Sequence, residues 1–344
     1  MLVFSTCVVA AQAVGSGDPL DVPARKVLTA ARAKVSGVAS QDGRVVAVGP
    51  RGLILLSNDG GQTWQQVSSP VSTDLATVRF TGPNIVWAVG HDAVVLRSTD
   101  GGASWRRMLD GRAVLGLMRE HAKGSEKLEA EIDRTMHQSA SADVWPAPVL
   151  DIHFMADGLT GYAVGGFGLI LQTTDGGEQW RSLQGSADNN QRFHLYALTG
   201  KGNEVFVAGE QGLVMRLDVS SQRFKRVDMP YNGSFFGIDR LGSKLLVYGL
   251  RGNAYVSADD GTTWKKIDTP LDGNFVSAMA HGRSALLVSQ SGEILTVDLD
   301  TAHAKKINTA AGAEVYGAAL VGPERIALAR LNGIDVVAVV APSK

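Results

Sequence analysis

The chain has 344 residues, of which 44% are hydrophobic and only 19% charged, with 40 glycines and a formal net charge of −1. This turn-rich, globular composition argues against disorder, and the near-zero charge against nucleic acid as a partner. No run of about 18 uninterrupted apolar residues offers a spanning helix.

The N-terminus reads as a secretory signal. Leu2 to Ala10 form a short apolar region and Ala11-Gln12-Ala13 fits a small-x-small cleavage site, although no Lys or Arg precedes the apolar run. The expectation is a signal peptide over residues 1–13 and a periplasmic or secreted protein. Cys7, the only cysteine, falls inside that segment. The mature chain would carry no disulfide framework and no cysteine metal site.

From about residue 24 to 341 the chain reads as a single repetitive domain. Four segments match one another: Ser57-Asn-Asp-Gly-Gly-Gln-Thr-Trp64, Ser98-Thr-Asp-Gly-Gly-Ala-Ser-Trp105, Thr173-Thr-Asp-Gly-Gly-Glu-Gln-Trp180 and Ser257-Ala-Asp-Asp-Gly-Thr-Thr-Trp264. This is the Asp-box pattern. Asp59, Asp100, Asp175 and Asp259 are placed to accept backbone N–H groups in a tight turn. Trp64, Trp105, Trp180 and Trp264 supply apolar faces beneath it. One carboxylate per box, about forty residues apart, is too sparse for calcium, which takes six to eight oxygens. The boxes are read as structural, with no metal and no cofactor.

Ahead of each box runs an apolar strand, a glycine turn and a second strand, as in Val45-Val-Ala-Val-Gly49 to Gly52-Leu-Ile-Leu-Leu56 and Tyr162-Ala-Val-Gly165 to Gly168-Leu-Ile-Leu171. A further strand precedes each copy. Each unit therefore reads as four short strands, a propeller blade. The apolar ends of the fourth strands are Val67, Met108, Leu183, Val227, Ile267 and Ile307. The distance from such an end to the next second-strand end is 22 residues for Val227–Gly249, Ile267–Ser289 and Ile307–Ala329, and also for Val27–Gly49. Arg25-Lys26-Val27 is thus expected to be the fourth strand of the last blade, so that an all-β, seven-bladed propeller closes on its N-terminus. Closure removes free sheet edges.

The fourth-strand ends lie 40 to 44 residues apart except between Met108 and Leu183, where the gap is 75. The excess, within 109–147, reads as a helical insertion between blades 2 and 3. Arg112–His121 and Ser125–Gln138 look helical, and Leu128, Ile132 and Met136 form one apolar stripe. In a four-stranded meander this connection shares a face with the turns between second and third strands, opposite the Asp boxes. Arg51, His91, Asp92, Phe167, Gln211 and Arg251, with Arg119 from the insertion, are therefore the candidate partner-binding residues of one variable face. Basic residues on the outermost strands, such as Arg106, Arg107, Lys265 and Lys266, read as protection against edge-to-edge pairing, with anionic headgroups as the alternative use.

The run Ala-Val-Gly, Gly-x-Ile-Leu, then Ser/Thr-x-Asp-Gly-Gly-x-x-Trp, repeated as quoted, resembles the photosystem II stability and assembly factor family and its bacterial Asp-box (BNR) relatives. The resemblance covers nearly the whole chain from Arg25, with blades 4, 6 and 7 worn. It implies a seven-bladed propeller outside the cytoplasm that helps a membrane protein assemble. The photosynthetic members carry an arginine-rich patch for their client. That patch has no position-by-position counterpart here, and Arg51 and Arg251 are its candidates. The expectation is a monomeric, non-catalytic scaffold for a membrane or envelope protein, with peripheral membrane contact as an option.

Asp-box propellers also include sialidases and other glycoside hydrolases, so the alternative is a glycan-binding or hydrolytic protein. Such enzymes need paired carboxylates, or a tyrosine nucleophile beside an arginine cluster. Tyr162, Tyr196, Tyr231, Tyr248, Tyr255 and Tyr316 mostly fall in strand patterns, and Asp151-Ile-His153 is the best acid–base candidate. It reads more simply as a solvated strand end.

Overall fold

A computed structural model describes residues 17–137, 139 and 141–339. The signal segment expected at 1–13 lies outside them. Seven antiparallel sheets follow one another along the chain, six of four strands and one of three. Blade 1 comprises Gly37–Gln41, Arg44–Val48, Ile54–Ser57 and Gln65–Gln66. The innermost strands of blades 2 to 7 are Leu75–Phe80, Val149–Phe154, Leu195–Lys201, Phe235–Leu241, Phe275–His281 and Val315–Gly322. The second strands, Val86–Gly90 and Gly161–Gly165 for example, are buried on both faces. That explains why they read as unbroken apolar runs and not as alternating ones.

One apolar cluster lies between each pair of neighbouring blades, seven in all. The cluster joining blade 7 to blade 1 contains Ala327 and Ala329 with Val35, Val38, Val45 and Ala47. The most aromatic one, between blades 2 and 3, stacks Trp87 on Phe154 at 4.4 Å with Trp180 edge-on at 6.3 Å.

The seam differs from the sequence expectation. Arg25-Lys26-Val27 forms no strand, and the last sheet holds only Val315–Gly322, Arg325–Arg330 and Gly333–Ala338. The segment is instead captured by blade 1. Gln66 donates from Nε2 to the Arg25 carbonyl (2.9 Å) and accepts the Val27 N–H (2.8 Å), while Ala24 N–H donates to Ser69 O (3.1 Å). Blade 7 is tied to blade 1 a few residues later, where Val35 N–H donates to Arg330 O (2.9 Å).

The insertion forms helix α1 (Gly111–Ala122) and helix α2 (Glu126–Met136). Asp110 caps α1 by accepting the Arg112 and Ala113 N–H groups. Val114, Leu115 and Met118 of α1 and Ile132 of α2 are buried in the blade 2–3 cluster, with Leu128 and Met136 packed beside them. The predicted stripe is therefore the face that docks.

The four Asp boxes share a frame in which the aspartate accepts the hydroxyl two residues before it and the N–H four residues after it. In blade 5, Asp259 accepts the Ser257 hydroxyl (2.8 Å), the Thr263 N–H (2.9 Å) and the Thr263 hydroxyl (2.6 Å). Trp64, Trp105 and Trp180 each donate Nε1 to the carbonyl of the box's second glycine. The worn blades keep a reduced turn: Asp218 accepts the Ser220 and Ser221 N–H groups, and Asp298 those of Asp300 and Thr301. The Thr263 hydroxyl foremost, with the Thr263 N–H and Ser257, holds the Asp259 carboxyl at about 2, below its ordinary 3.8. Burial is the largest single influence on Asp100 and acts upward, but hydrogen bonds led by the Ser104 hydroxyl outweigh it and hold that carboxyl at about 2. A carboxyl lowered by folding contributes stability above its unfolded value and loses it as pH falls through the folded one. The propeller should therefore lose stability between about pH 4 and about pH 2. In urea titrations across that window, the double variant Asp100→Asn, Asp259→Asn should show a shallower loss than the parent. An unchanged slope would remove the boxes from the acid response.

Candidate partner-binding face

The second strands of blades 2 to 5 end in Gly90, Gly165, Gly209 and Gly249, and Gly49 directly follows that of blade 1. A Cβ at these positions would lie 2.0–2.4 Å from a carbonyl oxygen at the start of the neighbouring innermost strand, Pro148 O in the case of Gly165. The ladder shifts register here, between Leu75 and Thr77, Leu195 and Ala197, Phe235 and Gly237, Phe275 and Ser277, and Val315 and Gly317. Each shift leaves one residue unpaired and re-aims its side chain. The unpaired residues are Ala76, Tyr196, Phe236, Val276 and Tyr316, joined by Leu150 in blade 3. Tyr196, Phe236, Val276 and Tyr316 line the central channel, a cavity of ≈ 240 Å³.

The turns after these second strands form the surrounding rim. Arg51, Asp92, Phe167, Gln211 and Arg251 all sit at φ 54° to 56°, and Gly52, Gly168, Gly212 and Gly252 follow at φ 67° to 71°. Two successive left-handed residues make the tight hairpin turn that matches strand twist. The strain of a non-glycine residue at the first of them is offset by the next blade. Asp74 Oδ1 accepts the Arg51 N–H (2.8 Å) and Asn274 Oδ1 that of Arg251 (3.1 Å).

Five of the six rim positions expected from sequence, Arg51, Asp92, Phe167, Gln211 and Arg251, therefore occupy equivalent places, with His91 just before Asp92 in the same turn, but they are not equally available. Arg51, His91, Gln211 and Arg251 are exposed. Asp92 is half-buried and accepts the Thr73 hydroxyl. Phe167 is half-buried against the blade 2–3 cluster, and its carbonyl accepts Gln184 Nε2 (2.7 Å). Arg119 is exposed in the last turn of α1. The insertion is fixed to the same region, since Arg192 pairs with Glu131 of α2 and Asp92 O approaches Gly111. Among the described residues, Arg25, Lys26, Lys34, Arg51, Arg119 and Arg251 enter no ion pair.

Sequence reasoning missed two features. The first is an aromatic path from rim to channel. Phe167 lies 5.1 Å from His194, His194 stacks on Tyr196 at 6.4 Å, and Tyr196 meets Phe236 edge-on at 5.5 Å. Glu210 holds it, accepting the His194 N–H (2.7 Å) and the Tyr196 hydroxyl (3.3 Å). The repeated residue after each strand-opening apolar position was the available signal.

The second is the polar floor. Arg79 forms a two-pronged pair with Asp151, 2.8 Å at each prong, and Asp151 also accepts the Ile152 N–H (2.9 Å) and Leu198 N–H (3.0 Å). Asp151 is buried, whereas the Arg79 side chain is 40% exposed to the channel. Asp151 is thus no solvated strand end. Burial pushes the Asp239 carboxyl up, and Asp239 accepts the Tyr248 hydroxyl (2.9 Å), whose own ionisation burial pushes far above its ordinary range. Burial likewise lowers His153. The glycoside-hydrolase alternative has no support in this arrangement. Asp151 is saturated by four donors, so it has no free lone pair for a sugar, and the tyrosine beside Asp239 is held protonated. Among the described residues no three His, Cys, Asp or Glu side chains gather as a metal site.

The fold and its boxes define an Asp-box propeller with a bulge-built channel mouth inside a ring of tight turns. Within that class, the family model described as photosynthesis system II assembly factor YCF48 matches residues 24–118 and 136–276, and the chain belongs to this family. It is 28% identical over 114 residues to a photosystem II assembly lipoprotein Ycf48 of Synechococcus sp. (strain CC9902). That match spans 33% of this chain and about a third (34%) of the relative's length. The fold is similar to a solved YCF48 bound to D1 peptide (TM-score 0.63, 16% identity, 90% of this chain and 95% of that one). It is similarly close to YCF48 from Cyanidioschyzon merolae (TM-score 0.62, 16% identity, 89% and 95%).

The glycines can be tested directly. Gly165→Ala forces a Cβ against Pro148 O and should cost about 3 kcal/mol. Gly116→Ala in α1, where nothing lies within 4 Å, should stabilise by up to about 1 kcal/mol through helix propensity alone. Denaturant midpoints of the two variants should move in opposite directions, and a neutral Gly165→Ala would show that the bulge does not depend on glycine.

Proposed function

We propose that the protein is a non-catalytic scaffold that binds a membrane or envelope protein through its variable face during that partner's assembly, outside the cytoplasm. The observation that carries this reading is the aromatic path Phe167–His194–Tyr196–Phe236 leading into the channel mouth, with Arg51 and Arg251 unpaired on the same rim. Aromatic rings and arginine on a rigid frame are the side chains that dominate protein–protein hot spots. Five turns of one geometry, in blades 1 to 5, allow the displayed residue to vary without disturbing the blades.

Family membership supports an assembly role. The solved relative that carries a D1 peptide supports a protein segment as the ligand class, and the curated relative's description as a lipoprotein supports an extracytoplasmic site. The insertion, absent from the regular repeat, would enlarge the face beside Phe167 and present Arg119.

Immobilised protein should retain an integral membrane protein from detergent-solubilised envelopes. The double variant Arg51→Glu, Arg251→Glu should retain at least about tenfold less, as should Tyr196→Ala, Phe236→Ala, while both stay folded. Equal retention by the parent and both variants would place binding elsewhere.

A further inference from the structure

Beside the rim, the chain between Gly17 and Lys34 encloses a second, larger cavity of ≈ 880 Å³ against the Pro50–Leu53 turn of blade 1. Its walls are largely apolar, with Val22, Pro23 and Leu53 among them. Four cations line it, Arg25, Lys26, Lys34 and Arg51, and no carboxylate does. Those same cations enter no ion pair among the described residues, in a protein whose net charge is −1.

The cavity's outer edge carries the least buried large apolar side chain among the described residues. Leu28 is fully exposed, and the adjoining Val27 is 46% exposed. The loop is not free to fold inward, because Gln66 holds the Arg25 carbonyl and the Val27 N–H. Leu331 is also exposed, on the blade 7 turn whose Gly333 lies against Ala31. Among the described residues, three of the five exposed large hydrophobics thus belong to this one sector, where single scattered ones would need no explanation.

We propose that this sector docks the protein on an anionic phospholipid bilayer. Leu28 and Val27 enter the boundary between headgroups and acyl chains. Arg25, Lys26 and Arg51 hold lipid phosphates around the mouth of the apolar cavity, while the Lys34 ammonium lies over the Tyr316 ring (4.8 Å). A protruding apolar tip inside a belt of unpaired cations is the pattern of interfacial anchoring, which combines buried apolar area with attraction to acidic headgroups. A protein client would be met by concave, hydrogen-bonding surface such as the channel mouth, whereas Leu28 is a fully exposed apolar tip flanked by Lys26 and Thr29. The docking would set the variable face beside the membrane, but it does not depend on client binding there.

The test uses the full chain with Cys7→Ser and a single reporter, Leu28→Cys carrying an environment-sensitive fluorophore. The control places the fluorophore at Leu159→Cys, an exposed position on the opposite, Asp-box side. Vesicles of phosphatidylcholine containing phosphatidylglycerol should shift emission to the blue at position 28 and not at 159, and pure phosphatidylcholine vesicles should shift neither. Removing Arg25 and Lys26 (R25A, K26A) in the reporter chain should weaken binding about fivefold per charge. No shift at position 28, equal shifts at 28 and 159, or undiminished affinity after loss of the two cations would each overturn the proposal. So would the same shift on adding soluble polyglutamate in place of vesicles, which would assign the sector to an acidic polypeptide.

Discussion

The close approach of a carbonyl oxygen to the glycine at the end of each second strand in blades 1 to 5 is the constraint on which the variable face depends. At Gly165 there is room for a hydrogen and not for a methyl group. In blades 2 to 5 the innermost strand bulges beside it, and in blades 4 to 7 the bulge turns one side chain, Tyr196, Phe236, Val276 or Tyr316, into the channel mouth. The same glycine opens the hairpin that presents Arg51, Phe167 or Arg251. A single backbone feature therefore makes both rings of the face. The side chains displayed by it, Tyr196 and Phe236 at the mouth for instance, are free to differ because nothing in the ladder depends on them.

Blades 6 and 7 solve the same geometry without glycine. Ser289 stands at the position in blade 6, its hydroxyl bonded to Glu293. In blade 7 the residue is Arg330, paired with Val315 beside the bulge and fully buried. Its guanidinium reaches Ala310 O (2.8 Å), the Ala313 carbonyl and Asp335 (2.8 Å), and its carbonyl accepts the Val35 N–H of blade 1. A buried arginine bonded on several sides costs desolvation but fixes one arrangement. Here it stands at the seam, where the three-stranded sheet has lost its outer strand.

Much of this was legible in the sequence. The Asp boxes at Asp59, Asp100, Asp175 and Asp259 and the seven strand-turn-strand units gave the blade count, and the apolar stripe of the insertion named its docking face. The seam was misread, because a 22-residue spacing reports how far Val27 lies from Gly49 and not which sheet edge receives it; Gln66 of blade 1 competes for the same backbone groups. The channel floor was hidden for a different reason. Arg79 sits in an alternating strand where a polar residue reads as facing solvent, and its partner Asp151 is 72 residues away on the next blade. The worn turns at Asp218 and Asp298 kept their aspartate but lost the tryptophan that marks the box.

The central claim is that the face built by the bulges, and not the Asp-box face, meets the partner. A photo-crosslinking amino acid placed in living cells at Gln211, on the rim, or at Gln62, exposed in the blade 1 Asp box, separates the two directly. The account predicts a discrete membrane-fraction adduct from position 211 and none from position 62. An adduct from position 62 alone would contradict it.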